Sequence, residues 1–322
     1  KDNNLPFLNC AIIGYFGFEV FAFIENFKFT NPDTLNIPDL YLAYCNKTLI
    51  FDHFKNKLFI VVNCVLDNKT DLFEQYKIAQ NEVERLERKA LQSKNIDYLS
   101  KNKYIKDLVL LNSEKKDEYK KIVNSAKKYI IDGDIFQCVL SQRLEVKVSV
   151  SAFEIYRALR IINPSPYMFY MNFNDFALLG SSPETMVRLR DNQVYLKPIA
   201  GTRPVVASEQ ATELYAKELM SDEKELAEHL MLLDLGRNDV GKISKAGTVK
   251  VEKQMYVERF AHVQHIVSDV VGELANENTT VSVFKATFPA GTVSGAPKIR
   301  AIEIINELEP IKRNFYAGTA GY

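Results

Sequence analysis

Apolar positions along this chain switch between two rhythms, and the switches mark its elements. Up to about residue 70 they come in short runs, Ala11 to Tyr15, Leu40 to Tyr44, Thr48 to Phe51 and Leu58 to Cys64, separated by Asn, Pro and Asp. Such runs predict strands joined by turns. From Asp71 to about Lys94 the pattern becomes charged and helical, and the Lys- and Asn-rich stretch to Lys106 predicts an exposed connection. A helix opens near Ser113, where Tyr119, Ile122, Val123, Ala126 and Ile130 keep a helical period until Gly133 ends it. Phe136, Cys138 and Leu140 then alternate as a strand, and Ser151-Ala152-Phe153-Glu154 has the form of a capping box opening a helix that Asn163-Pro164 stops. Tyr167 to Phe173 and Phe176 to Leu179 flank Asn174-Asp175 as a hairpin, and Thr185 to Leu189 and Val194 to Ile199 flank another turn. Strands followed by helices, without strict β-α alternation, predict the α+β class with large, mostly antiparallel sheets packed between helices. No internal repeat is visible. The change of character divides the chain into 1–112 and 113–322.

The stretch from Asp222 through Asp239 puts carboxylates where core residues belong. Read as a helix, it has one apolar stripe through Leu226, Leu230 and Leu233 and a second through Leu232 and Leu235. Glu228 lies four residues before Leu232 and seven before Leu235, so it faces inward with them, and Glu225 sits one turn earlier beside it. A buried carboxylate pair needs a cation, a protonation shift or an Arg or Lys neighbour. Oxygen-only ligands suit Mg²⁺, whereas a solvated acidic face or a structural ion pair needs no metal at all.

Composition narrows the classes. Forty-one acidic residues balance forty-one basic ones among 322, so no net field draws the chain to nucleic acid or to an anionic membrane. The most apolar run, Phe16 to Ile24, is broken by Glu19 and is too short to span a bilayer. Cys10, Cys45, Cys64 and Cys138 make no C-x-x-C pair and no zinc-finger spacing, which fits a reducing cytoplasm. The chain begins at Lys1 and stops at Tyr322 inside a strand-like run, so both ends read as trimmed.

Six motifs follow one another in an order that carries a resemblance. They are Gly133 to Arg143 (GDIFQCVLSQR), Asn163 to Met168 (NPSPYM), Gly180 to Glu184 (GSSPE), Pro198 to Arg203 (PIAGTR), the helix above, and Gly291 to Lys298 (GTVSGAPK). Together they resemble the chorismate-utilising enzymes, and among these the anthranilate synthase component I family. The likeness spans roughly 113–322 and is looser before that. It implies chorismate bound through Mg²⁺, substitution at ring C2 and departure of the C4 hydroxyl. On the matched positions Glu228 is the magnesium carboxylate, with Glu225 supporting the metal shell, and Glu184 protonates the departing hydroxyl, a step that needs a proton donor. Gly201, Thr202, Thr292 and Tyr316 match substrate contacts. His265 matches the histidine associated with eliminating pyruvate from the aminated intermediate. Taken singly, Glu184 after a proline is an ordinary turn residue and Tyr316 an ordinary half-buried aromatic. His265, sharing parity with Ala261, Val263 and Val267 in a strand from Phe260 to Val271, is an ordinary core histidine on the apolar face.

Members of the family differ in nucleophile. Where isochorismate and salicylate synthases carry a lysine that activates water, this chain has Gln137; where typical aminodeoxychorismate synthases carry a lysine that attacks C2, it has Ala200. The resemblance therefore implies free ammonia as nucleophile and anthranilate and pyruvate as products, the first step committed to tryptophan. Alanine also occurs in some aminodeoxychorismate synthases, so component I of that enzyme is the alternative. No Gly-x-Cys-x-Gly loop is present, which implies a separate glutamine amidotransferase as the source of ammonia. Pro166, Tyr167 and Met168, with Tyr322, match the family's inhibitory tryptophan pocket.

The chain departs from the pattern after Thr202-Arg203-Pro204, where Val205 and Val206 replace the usual arginine and glycine and the loop is shorter. The family's second magnesium glutamate and an arginine for the substrate carboxylate fall beyond Tyr322. A P-loop reading of Gly291 to Lys298 fails because Ile299 follows the lysine and the glycine spacing is wrong. A catalytically silent tryptophan sensor is opposed by intact Glu184, Glu228 and His265.

Overall fold

The computed structural model describes residues 11–66, 71–92, 110–112 and 116–322; the connection predicted to run to Lys106 lies outside the described residues. Two compact units emerge, one of residues 1–15, 40–104 and 320–322, the other of residues 16–39 and 105–319.

The smaller unit holds β1 (Ala11–Phe16), β2 (Leu40–Cys45), β3 (Lys47–Asp52), β4 (Lys57–Val62) and α1 (Leu72–Leu91). β1 lies between β2 and the last strand of the chain, Thr319–Gly321. β3 and β4 form a hairpin whose turn is closed by the Asp52 carboxylate accepting the Phe54 and Lys55 N–H groups at 3.0 and 2.9 Å. Asp71 caps α1 by accepting from the N–H groups of Phe73 and Glu74.

The larger unit runs β5 (Leu110–Asn112), α2 (Lys116–Ile131), β6 (Gln137–Cys138), β7 (Glu145–Val146), α3 (Ala152–Ile162), β8 (Tyr167–Asn172), β9 (Ala177–Ser182), β10 (Arg188–Arg190), β11 (Gln193–Leu196), β12 (Ile199–Pro204), α4 (Glu209–Ser221), α5 (Glu223–Gly241), β13 (Lys250–Arg259), β14 (Val263–Glu273), α6 (Thr280–Thr287), β15 (Gly295–Ala296) and α7 (Lys298–Leu308). Its main sheet is antiparallel throughout, in the order β10-β11-β14-β12, with β13 also paired to β14. This is the α+β architecture the strand and helix patterns predict. The capping box of α3 forms as its sequence requires, Ser151 and Glu154 each bonding the other's backbone.

Two of the unit's apolar clusters join its sheet and helices. One joins Val194 and Val270 of the sheet to Leu233 and Val240 of α5, Ile243 and Val283. The other joins Phe18, Val20 and Phe21 to Phe288, Ile302 and Ile305. The second cluster explains why residues 16–39 belong with the larger unit although they precede residue 113. Their apolar run coils into a short 3-10 helix, Phe18–Phe23, whose rings need that core.

Two local expectations are corrected. Leu230 is 46% exposed, and the buried side of α5 runs through His229, Leu232, Leu233, Gly236, Asp239 and Val240. The helical period is right but the face is turned by one residue, because a buried histidine and aspartate occupy positions that the count of leucines passes over. Likewise only Gln137–Cys138 of the alternating run is a strand, and Phe136 is 77% exposed. That strand is fixed by pairing with β15, not by a buried face.

Candidate active site

A bulge in β12 builds the first part of the site. Ala200 pairs with Ile266 and Arg203 with Gln264, so Gly201 and Thr202 together oppose the single residue His265 on β14. Gly201 takes φ +66, a left-handed conformation that favours glycine, and the extra residue turns its carbonyl toward the imidazole. His265 Nδ1 lies 2.6 Å from the Gly201 carbonyl oxygen and 3.2 Å from the Thr202 hydroxyl. A carbonyl only accepts, so Nδ1 carries the proton and Nε2 keeps its lone pair in the neutral ring. His265 is half-buried, and the fully buried face of β14 is the opposite one, through Gln264, Ile266, Ser268 and Val270. The expectation that His265 points to the apolar core face is therefore corrected. The alternation along the strand is as its sequence predicts, but α5 covers the other side.

The carboxylates divide by environment. Glu184 follows β9, and the Ser182 hydroxyl accepts its N–H at 3.3 Å. Its carboxyl takes the Thr292 hydroxyl at 2.8 and 3.0 Å to the two oxygens. Burial pushes the Glu184 pKa up to about 7, while the Thr292 hydrogen bond pulls the other way. Glu184 and Thr292 line a cavity of about 30 Å³, room for a water, with Leu232, Leu235, Gly236 and Asp239 of α5.

Glu225 and Glu228 stand on one face of α5 near its start, where the Asp222 carboxylate caps the helix by accepting from Lys224 and Glu225. Glu228 Oε1 accepts from the Gln137 side-chain amide at 2.7 Å, and the Gln137 Oε1 is buried without a partner. Glu225 Oε1 takes Arg203 Nη1 at 3.2 Å, and the same guanidinium bonds Glu218 at 2.9 Å, Asp222 at 3.0 Å and the Thr202 carbonyl at 2.9 Å. A Cβ on Gly201 would stand 3.1 Å from Glu225 Oε2, so the bulge and this carboxylate touch. Among the described residues no group of three or more His, Cys, Asp or Glu is placed to hold a metal.

Tyr316 is 46% exposed, its ring 5.5 Å from the Arg313 guanidinium. Pro166 precedes β8, and Tyr167 and Met168 open it, paired with Ser182 and Ser181. The Thr185 hydroxyl, next to Glu184, donates to the Tyr167 hydroxyl. Tyr322 belongs to the other unit and is 70% exposed. Three features pass unseen in the sequence. These are the Arg203 cluster, the Gln137 to Glu228 bond, and the buried His229, whose Nε2 meets the Ser268 hydroxyl at 2.7 Å and whose pKa burial lowers to about 4. Each depends on a partner far away in sequence.

A model of the chorismate binding enzymes matches residues 1–322. The chain is 43% identical to anthranilate synthase component 1 of Acetivibrio thermocellus over 99% of its own length and 65% of that protein's. It is 44% identical to the component 1 of Aquifex aeolicus over 100% of its own length and 65% of that protein's. It thus spans a little under two thirds of these relatives. Among solved structures, anthranilate synthase component I from Streptococcus pneumoniae superposes with a TM-score of 0.89 at 35% identity, covering 100% of this chain and 70% of that one.

Proposed function

The chain belongs to the chorismate binding enzyme family, and from that premise we propose that it is the chorismate-converting component of an anthranilate synthase. Chorismate and ammonia give an aminated intermediate and water; loss of pyruvate from the intermediate then gives anthranilate. The observation that carries this reading is the lack of a lysine at both positions where one directs the chemistry elsewhere. Ala200 is a buried methyl group opposite Ile266, and Gln137 is engaged as a donor to Glu228, so neither supplies or activates a nucleophile. Ammonia, delivered by a glutamine amidotransferase partner, takes that part.

The residues fit the two steps. A carboxyl with a pKa of about 7 is substantially protonated at neutral pH, so Glu184 can give its proton to the departing C4 hydroxyl, which leaves as water. Thr292 fixes its orientation. The lone pair on His265 Nε2 can accept the C2 proton as pyruvate departs, while the Gly201 carbonyl holds the ring in that tautomer. Gly201 and Thr202 leave backbone close to the ring, and Tyr316 offers an exposed aromatic edge. Glu228, with Glu225 beside it, would hold Mg²⁺: both are hard oxygen donors, and the orphaned Gln137 Oε1 suits a water of the metal's shell. Bound there, the metal supplies positive charge against the substrate carboxylates. Arg203 offsets the repulsion between the two glutamates by pairing with one of them.

Feedback by tryptophan at Pro166, Tyr167 and Met168 is supported by the Tyr167 to Thr185 bond, which places that segment one residue from Glu184. A biosynthetic role in the cytoplasm follows from the same reading. Among the described residues no helix is long and apolar enough to cross a membrane.

Full-length protein given chorismate, Mg²⁺ and an ammonium salt is expected to produce the blue fluorescence of anthranilate, with glutamine replacing ammonium only when the amidotransferase is added. Formation of 4-amino-4-deoxychorismate or isochorismate overturns the proposal. His265→Met is expected to slow the second step more than the first and to accumulate 2-amino-2-deoxyisochorismate, seen by chromatography. Anthranilate released at the normal rate with no intermediate would make His265 a structural residue.

A further inference from the structure

An enclosed ion pair, used by none of the steps above, sits behind two of the groups that carry them. Arg313 and Glu309 are 6% and 5% exposed. Arg313 Nε donates to Glu309 Oε2 at 2.9 Å and Nη2 to Oε1 at 2.6 Å, a bidentate pair between residues four apart just past the end of α7. The guanidinium has further N–H groups, and both of its ends reach backbone: Nη1 donates to the Val293 carbonyl at 2.8 Å and Nη2 to the Val139 carbonyl at 2.5 Å. Those carbonyls belong to two segments already joined by the β6–β15 pairing and by the Val139 N–H to Ser294 carbonyl bond at 2.9 Å. One segment carries Gln137, the donor to Glu228. The other carries Thr292, the donor to Glu184.

The clamp extends on both sides. Glu309 Oε1 also accepts from the Ser141 N–H at 2.7 Å and the Ser141 hydroxyl at 3.0 Å. Arg313 stacks over Phe18 at 4.7 Å, accepts the Tyr316 N–H on its carbonyl at 3.1 Å, and gives its own N–H to Glu19 at 2.9 Å. Enclosed carbonyls need donors in fixed directions. A planar guanidinium supplies several at once, and a lysine ammonium, a point charge on a flexible stem, does not.

We infer that Arg313 is a positioning residue for the reaction proposed above, setting the strand of Gln137 and the turn of Thr292 at the spacing that seats Glu228 and Glu184. The inference rests on that proposal for the identity of the reacting groups. Its geometric part is tested without turnover. Arg313→Lys keeps the charge and loses the fork. The double replacement Arg313→Met with Glu309→Met removes both charges together, leaving neither buried alone, and loses the carbonyl donors while the core stays filled.

Full-length protein labelled with ¹³C at the glutamate carboxyls is titrated by NMR alongside thermal unfolding. Wild type is expected to show two glutamates near pH 7, Glu19 and Glu184, with Glu184→Gln removing one and so assigning it. Asp239, held by Lys298 and Lys242, is the other carboxylate lining the Glu184 cavity and stays silent under this label. When the turn of Thr292 slips, its hydroxyl no longer favours the Glu184 carboxylate, so the Glu184 midpoint is expected to rise in both variants. Turnover is expected to fall by roughly tenfold to a hundredfold with a smaller change in KM, the scale of an ångström-sized misplacement. An unmoved midpoint in a variant that still unfolds cooperatively overturns the assignment, and so does turnover within about twofold of wild type. Wild-type protein that leaves chorismate unchanged sinks the reading of the reaction instead, and the midpoint alone then decides for or against Arg313.

Discussion

Glu184→Gln is expected to stop turnover and, in the same molecule, to raise stability above neutral pH. Removing a positioned acid costs about two to four powers of ten in rate, and chorismate should remain unconsumed with no intermediate. The stability gain follows from the same burial that makes the acid useful. Burial raises the Glu184 pKa from 4.5 to about 7, so the folded chain holds this proton more tightly than the unfolded chain does. The stabilisation that the proton gives is complete below pH 4.5 and is lost as the pH rises through 7; above that the fold carries a desolvated carboxylate. Glutamine has no proton to lose. Each tenfold difference in proton affinity between the folded and unfolded chains is worth about 1.4 kcal/mol, so the variant should match wild type near pH 4.5 and exceed it at pH 8 by on the order of 2–3 kcal/mol. Urea titrations at the two pH values measure this. An equal difference at both, or turnover near wild type, would remove Glu184 from the role of acid.

The second large effect is expected below that cavity. Lys298 Nζ lies 2.7 Å from Asp239 Oδ2 and 3.2 Å from the Thr287 carbonyl, and the Lys298 and Asp239 side chains are only 11% and 4% exposed. Burial lowers the Lys298 pKa, and Asp239 opposes it. Lys298→Met leaves Asp239 with the solvent-facing Lys242 as its remaining cation, at 3.1 Å. Stranding a buried charge costs about 3–5 kcal/mol, so the melting temperature should fall by roughly 5–10 °C. Adding Asp239→Leu removes the stranded carboxylate and should recover most of the loss. If the single variant melts within about a degree of wild type, the pair is not closed to solvent as described. If the double variant is worse than the single, the charges are carried by partners other than each other.

Local chemistry is what the sequence states clearly. The capping box at Ser151, the hairpin about Asn174-Asp175 and the helix starting after Asp222 are written within a few residues, and each forms as its pattern requires. Glu184 and Glu228 stand out because their motifs are short and contiguous, whereas His265 is marked only by the family match at that position. The direction each faces is another matter. Leu230 looks like core and is exposed, while His229 and Asp239 look like surface and are buried, because the face of α5 that meets the sheet is chosen by β14 and not by the helix.

What only the tertiary structure decides is which distant groups meet, and with them the proton affinity of Glu184 and the tautomer of His265. The Gly201 bulge fixes the tautomer of His265 from another strand, Thr292 reaches Glu184 across 108 positions, and Gln137 reaches Glu228 across 91. Arg203 and Arg313 draw together segments that share no local pattern at all. A sequence determines which side chains are present and which short segments coil or extend, since those preferences act over a few bonds. Desolvation and hydrogen bonding act through space, so the raised pKa of Glu184 and the free lone pair of His265 exist only once the chain has closed around them.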